Sequence, residues 1–370
     1  MTLKRAWYHC AACGHGFAPR DRALGLEDAG LSPGVVRMVG AVGAAVSFEE
    51  GSGLLRELSG LSVPAKTVER TAEALGEEIA ADEREIVAPA PEDAIAPTMY
   101  AALDGTATPM RREEIEGRPG KQEDGTSKSR EAKLVCVFSA EGRDKDGVPV
   151  RDEGSVSYNA AIESAAMKDT DDDLSPFARR VEREAARCGF DRAKRQVALG
   201  DGAAWIWNLF SLFFPMAIQI LDRFHVKERL HETGKAIFGE KSDLWRPWTH
   251  ARCEELDAGK IDRVLKELRM HAARVVEAAQ CVTYFENNRE RMDYPRFRQM
   301  GLCTSSGVVE AGCKITVGAR LKRAGMHWTV RGANAILALR CCRLSGRYED
   351  FFERRAEKRK ASSPGIRRAA

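Results

Sequence analysis

The chain has 370 residues, 44% of them hydrophobic and 31% charged, a balance that fits a folded soluble protein and excludes a disordered or fibrous one. Its formal net charge of +3 identifies no partner, but residues 302–370 hold 15 Lys or Arg against 5 Asp or Glu. The compensating acid lies mostly in residues 141–184, an asymmetry that fits one face for a polyanion; for residues 354–368 a solvated basic tail is the alternative.

The first residues lack the pattern of a signal peptide, so a cytoplasmic, nucleoid-associated protein is expected, and ten cysteines in that reducing setting are not a disulfide scaffold. Residues 1–24 read as a partial zinc-ribbon-like segment. Cys10 and Cys13 have the spacing that lets two thiolates converge on one Zn²⁺, but four ligands are needed and only His9 or His15 stands nearby.

Residues 25–88 read as helical, with breaks near Ser47, at residues 60–64 and at Pro89. Leu54, Leu55 and Leu58 mark one short helix, Gly60 a turn, and Val68, Ala72, Leu75 and Ile79 the stripe of a second helix opened by Pro64. This is a helix-turn-helix-like pattern, in which Lys66, Thr67, Arg70 and Thr71 would face a DNA groove; a hairpin that only packs is the alternative.

After a proline-rich linker at residues 89–97, residues 97–226 show strands ending on acids. One runs into Asp104-Gly105. Others are expected at residues 133–138 and 156–162, and a fourth at 196–200 delivers Asp201-Gly202 after a helix at 176–188. The apolar run at residues 203–221 is cut by Pro215 into a helix and a strand ending on Asp222, rather than one membrane span. Residues 227–295 read as a helical insertion, with Trp245-Arg246-Pro247-Trp248 as a kink or connection. Residues 296–350 carry Glu310 early in a helix, then Arg320, Lys322 and Arg323, and a helix at 330–344; residues 351–370 read as a basic tail. The fold class expected is α/β, a mixed sheet flanked by helices.

Carboxylates on strand ends and a helix start are what two-metal phosphodiester chemistry requires, because Mg²⁺ takes oxygen ligands on rigid backbone. Asp104, Asp201 and Glu310 fit, although Asp-Gly is also a common turn and Glu310 with Lys314 has the spacing of a surface ion pair. Trp205 and Trp207 read as core residues; Trp245, Trp248 and Trp328 read as core or as platforms for an unpaired base.

Four segments in order, Leu103-Asp104-Gly105-Thr106, Gly200-Asp201-Gly202-Ala203-Ala204-Trp205-Ile206-Trp207, Ile220-Leu221-Asp222-Arg223-Phe224-His225-Val226 and Ser306-Gly307-Val308-Val309-Glu310, resemble the successive signatures of insertion-sequence DDE transposases. With Arg320-Leu321-Lys322-Arg323-Ala324-Gly325-Met326-His327-Trp328 and Ala335-Ile336-Leu337-Ala338-Leu339-Arg340, the pattern is similar to the ISKra family. That resemblance implies an RNase H-like core interrupted by a helical insertion, with Asp104, Asp201 and Glu310 holding two Mg²⁺ or Mn²⁺ ions. It also implies a homo-oligomer acting on double-stranded DNA, both the element's terminal repeats and the target. Asp222-x-x-His225 is similar to a motif that accompanies the catalytic acids, in which His225 contacts a phosphate or orients a ligand, or the pair caps a helix. Arg320, Lys322 and Arg323 join Lys66, Thr67 and Arg70 as expected DNA contacts. Relatives carry a further Cys-x2-Cys pair upstream of Cys10, so the zinc site expected here is incomplete. A DNA-binding regulator or inactive remnant with a degenerate core is the competing function.

Overall fold

A computed structural model describes the chain apart from residues 1–5, 15, 19–20, 22–25, 27–29, 86–88, 121, 123–124, 166–173, 306 and 363–370. His15, Ser306 and the end of the basic tail thus lie outside the described residues. The chain forms two compact units, one of Met1–Ile86, Thr108–Arg130 and Gly318–Ala370, the other of Val87–Ala107 and Glu131–Val317.

In chain order the elements begin with the short strands β1 (Tyr8–His9) and β2 (Gly16–Phe17) and the helices α1 (Pro33–Ala45), α2 (Phe48–Ser59) and α3 (Ala65–Glu85). Strands β3 (Thr98–Pro109), β4 (Ser129–Ser139), β5 (Gly142–Arg143), β6 (Pro149–Val150) and β7 (Ser157–Ala161) follow, then α4 (Pro176–Cys188), β8 (Arg195–Gly200), α5 (Ala204–Phe213) and β9 (Ile218–Leu221). The remainder is helical: α6 (Arg223–Phe238), α7 (Trp245–Asp257), α8 (Ile261–Ala272), α9 (Val276–Asn287), α10 (Tyr294–Gln299), α11 (Gly307–Gly312), a π-helical turn at Cys313–Gly318, α12 (Ala319–Leu321), α13 (Val330–Leu344) and α14 (Tyr348–Ser362).

In the first unit, local chemistry sets the helix ends. Ser32 caps α1 ahead of Pro33, Ser47 and Glu50 form a reciprocal capping box on α2, and Gly60 ends α2 with φ 69°. Val39, Leu55, Val63 and Val68 make the core joining α1, α2 and α3. Helix α3 packs against α13 so closely that a Cβ on Gly76 would lie 2.0 Å from the Ala335 carbonyl oxygen. The acidic face of α3 is matched by basic residues from the end of the chain: Asp82 pairs with Arg354 at 2.7 Å and Lys358 at 2.8 Å, Glu78 with Arg355 at 2.7 Å, and Glu83 with Arg347 at 3.0 Å. Much of the basic C-terminal charge is therefore neutralised inside this unit, and the stretch read as a tail is helical through Ser362.

The second unit is built on a five-stranded sheet in the order β7-β4-β3-β8-β9, with β8 parallel to both β3 and β9 and β4 antiparallel to β7. Its strands are apolar on both faces, as for a sheet covered by helices: Tyr100, Ala102, Leu134, Val137, Val197, Leu199 and Ile220 are all buried. Pro215 does separate α5 from β9. The segment Trp245-Arg246-Pro247-Trp248, expected to be a kink or connection, is instead the opening of α7; Pro247 in the first turn lacks only an N–H that needs no intrahelical partner. Among the described residues no helix is long and apolar enough to cross a membrane.

Candidate active site on three parallel strands

The site follows from strand register. Ala102 on β3 lies opposite Leu199 on β8, so two residues further along each strand stand Asp104 and Asp201. Gly200 lies opposite Leu221 on β9, so the next residues are Asp201 and Asp222, and the Asp222 N–H donates to the Gly200 carbonyl at 2.8 Å. Three neighbouring parallel strands thus present an aspartate at one level, just past the C-terminal ends of β8 and β9 and just past the last paired residue of β3, which does not turn at Gly105 as expected but runs on to Pro109. Strand spacing there is about 4.8 Å, and the C-terminal side of parallel strands is where open α/β sheets bind ligands.

Each aspartate is held differently. One Asp104 oxygen accepts the Gly105 N–H at 2.6 Å and the side chain also bonds Cys313. Burial pushes the Asp104 carboxyl above its usual range; the bonds from Cys313 and Gly105 oppose this, and the charge of Asp201 adds to it while His225 counters. Asp201 accepts the Ala203 N–H at 2.9 Å through Oδ1. Its carbonyl accepts the Tyr284 hydroxyl at 2.8 Å, and Gly202, with φ +99°, lies so near that ring that a Cβ would be 2.5 Å from Cε2. Asp222 is fully buried and caps α6 through the Phe224 N–H at 2.5 Å, the capping role that its place after a strand suggests.

Glu310 comes from α11. His225 Nε2 lies 3.5 Å from Glu310 Oε1, Lys314 Nζ lies 3.7 Å from Glu310 Oε2, and His225 Nδ1 lies 3.4 Å from Glu228. Ligand atoms of Asp222, His225 and Glu310 all fall within 4.8 Å of one another. Cys313, three residues beyond Glu310, reaches Asp104. Gly312 lies against Leu134 and Tyr158, where a Cβ would come within 2.8 and 2.9 Å, and the π-helical turn starts at the next residue.

The structure therefore joins Glu310 directly to Asp222 and His225, and links Asp104 electrostatically to Asp201 and His225. Tyr284 and Cys313 carry no motif of their own; only the +3 spacing of Cys313 from Glu310 hints that both face the sheet. Oxygen donors dominate the cluster, and the charge of Asp201 opposes ionisation of Asp104, an arrangement whose chemistry fits a hard divalent cation.

The expected DNA contacts separate. Lys66 and Arg70 are exposed on the first turns of α3, with Lys66 bonded to Glu69 at 2.8 Å and Thr67 half-buried between them. Lys322 is exposed, whereas Arg323 forms a fork with both oxygens of Glu50 at 2.6 and 2.8 Å. Arg320 is fully buried: Nε donates to the Gly43 carbonyl at 2.9 Å and the guanidinium lies over Phe48 at 4.5 Å and Trp328 at 5.0 Å. It is committed to the core of the first unit rather than offered to a phosphate, and Trp328, also buried with Nε1 bonded to the Leu321 carbonyl, offers no platform for a base. Cys10 and Cys13 sit exposed on the turn between β1 and β2. Among the described residues no third ligand joins them in a group that could hold a metal.

The fold and site define a mixed α/β protein with a carboxylate cluster at the sheet's C-terminal edge. Residues 116–360 match an uncharacterised protein family, UPF0236, and the chain belongs to it. No curated protein matches the chain. Among solved structures, the chain is similar to one described as the Drosophila P element transposase strand transfer complex, at 11% identity and a TM-score of 0.31, covering 91% of this chain and 84% of that one.

Proposed function

We propose that this protein is a bacterial insertion-sequence DDE transposase, cutting element ends and joining them to target DNA with Asp104, Asp201 and Glu310 as the metal-holding acids. The observation that carries the reading is the level placement of Asp104, Asp201 and Asp222 on adjacent parallel strands, with Glu310 and His225 within reach of Asp222. The mixed sheet, the helical segment between Asp201 and Glu310, and the ordered motifs that resemble the ISKra family support an RNase H-like core. Mg²⁺ or Mn²⁺, two ions when bound, would activate water or a 3′ hydroxyl and stabilise the leaving oxygen. Asp104 and Asp201 would hold one side of that centre. Glu310 would close the other, with Asp222 and His225 orienting it, and Lys314 would offset its charge. Lys66, Thr67 and Arg70 would meet double-stranded DNA on the helix-turn-helix-like pair α2 and α3, and the working form would be a homo-oligomer on DNA.

The test is Mn²⁺- or Mg²⁺-dependent nicking of a supercoiled plasmid carrying the element's ends. Asp104→Asn, Asp201→Asn and Glu310→Gln should each lower nicking on the order of a thousand-fold, the worth of several kcal/mol of metal-borne charge stabilisation, while end binding persists. Wild-type nicking by any of the three variants sinks the assignment.

A further inference from the structure

We propose that Arg229 receives the DNA phosphate beside the carboxylate cluster and that Tyr284 holds it in place; this rests on the DNA-cutting reading of that cluster. Arg229 lies on α6 four residues after His225 and seven after the cap Asp222, a spacing that puts all three on one helix face. Its guanidinium carbon sits 4.4 Å from the centroid of the Tyr284 ring. The side chain is exposed and, among the described residues, has no ion-pair or hydrogen-bond partner for its guanidinium.

Its neighbours on the same helix are different. Arg223 and Lys227 are both bound by Asp257, at 2.5 and 2.6 Å. A guanidinium stacked on an aromatic face is fixed in position yet keeps its in-plane N–H donors free, the geometry that takes a phosphate through two parallel bonds. The same tyrosine fixes the acid: its hydroxyl bonds the Asp201 carbonyl at 2.8 Å and its ring edge fills the space beside Gly202. One side chain of the helical insertion thus sets the distance between a cation and a carboxylate of the cluster. The need for such a cation is electrostatic. Asp104, Asp201, Asp222 and Glu310 repel a phosphodiester, and a fixed positive group at the rim offsets that repulsion without competing for metal.

The experiment measures binding of a fluorescein-labelled DNA duplex across a salt series in Ca²⁺, for wild type, Arg229→Gln, Arg229→Lys and Tyr284→Phe. The Gln variant should weaken binding about ten-fold and lower the slope of log affinity against log salt by about one. Arg229→Lys should restore the slope because it restores the charge. Tyr284→Phe should keep the slope, since the ring remains, but reduce the thermal stabilisation given by Mn²⁺. Wild-type affinity and slope in a folded Arg229→Gln protein overturn the proposal, as does an equal loss in Arg229→Gln and Arg229→Lys, which would mark a packing role. Mn²⁺ stabilisation of wild type is read separately: its absence removes the carboxylate reading while the salt slope still decides Arg229.

Discussion

Asp82 and Asp104 are two aspartates whose environments push them in opposite directions. Asp82 faces burial, which raises its pKa, but bonds from Lys358 and Arg354 outweigh that and leave it lowered from 3.8. A carboxyl depressed in the folded state stabilises the fold at neutral pH, and that stability is lost as pH falls through its folded pKa. Asp82→Asn should therefore lower the unfolding midpoint at pH 7, and the deficit should shrink below about pH 4; a deficit that is independent of pH contradicts the pairing. Asp104 is raised by burial first and by Asp201 next. The sign reverses: its favourable contribution is complete below the unfolded pKa and lost as pH rises through the raised folded value. In EDTA at pH 7, Asp104→Asn should thus unfold at a higher temperature than wild type. Added Mn²⁺ should stabilise wild type and not the variant. A calorimetric scan showing Asp104→Asn less stable than wild type without metal would contradict the crowding of charge around Asp104.

Among the elements, those with local signals were legible. The breaks at Ser47 and Gly60 are a capping box and a left-handed helix end, and Pro176 to Cys188 is the helix its periodicity suggests, capped by Ser175 and ended by Gly189. Elements whose reason lies elsewhere in the chain were not. The acids of α3 look like an ordinary solvated face until Arg347, Arg354, Arg355 and Lys358 arrive from the far end of the sequence. Segregation of charge along a chain does not fix its segregation in space, and here it overstated the basic surface. Arg320 shows the same limit, since a cation in a basic cluster gives no sign that Phe48 and Trp328 enclose it. The contact between α3 and α13 is equally silent in sequence and makes a sharp prediction. Gly76→Ala drives a methyl into the Ala335 carbonyl and should cost about 3 kcal/mol; urea unfolding with an unchanged midpoint would show that the helices can separate at no cost.

For the whole molecule, the aspartates were readable because Asp104, Asp201 and Asp222 each follow an apolar run. Asp201 and Asp222 directly follow the ends of β8 and β9, whereas β3 runs on past Asp104 to Pro109, and the C-terminal sides of parallel strands collect on one edge. Their alignment was not readable, because register is decided by pairing between strands 97 and 21 residues apart in the sequence, as in Ala102 with Leu199 and Gly200 with Leu221. Nor was the part played by the helical segment after β9, which supplies Tyr284 to the Asp201 turn from 83 residues away. On the proposed function these pieces form one divalent-metal centre. Isothermal titration of Mn²⁺ into the purified chain tests that most directly: saturable binding should appear in wild type and collapse in the combined Asp104→Asn, Asp201→Asn, Glu310→Gln variant, whereas equal Mn²⁺ binding by the folded variant and wild type would contradict it.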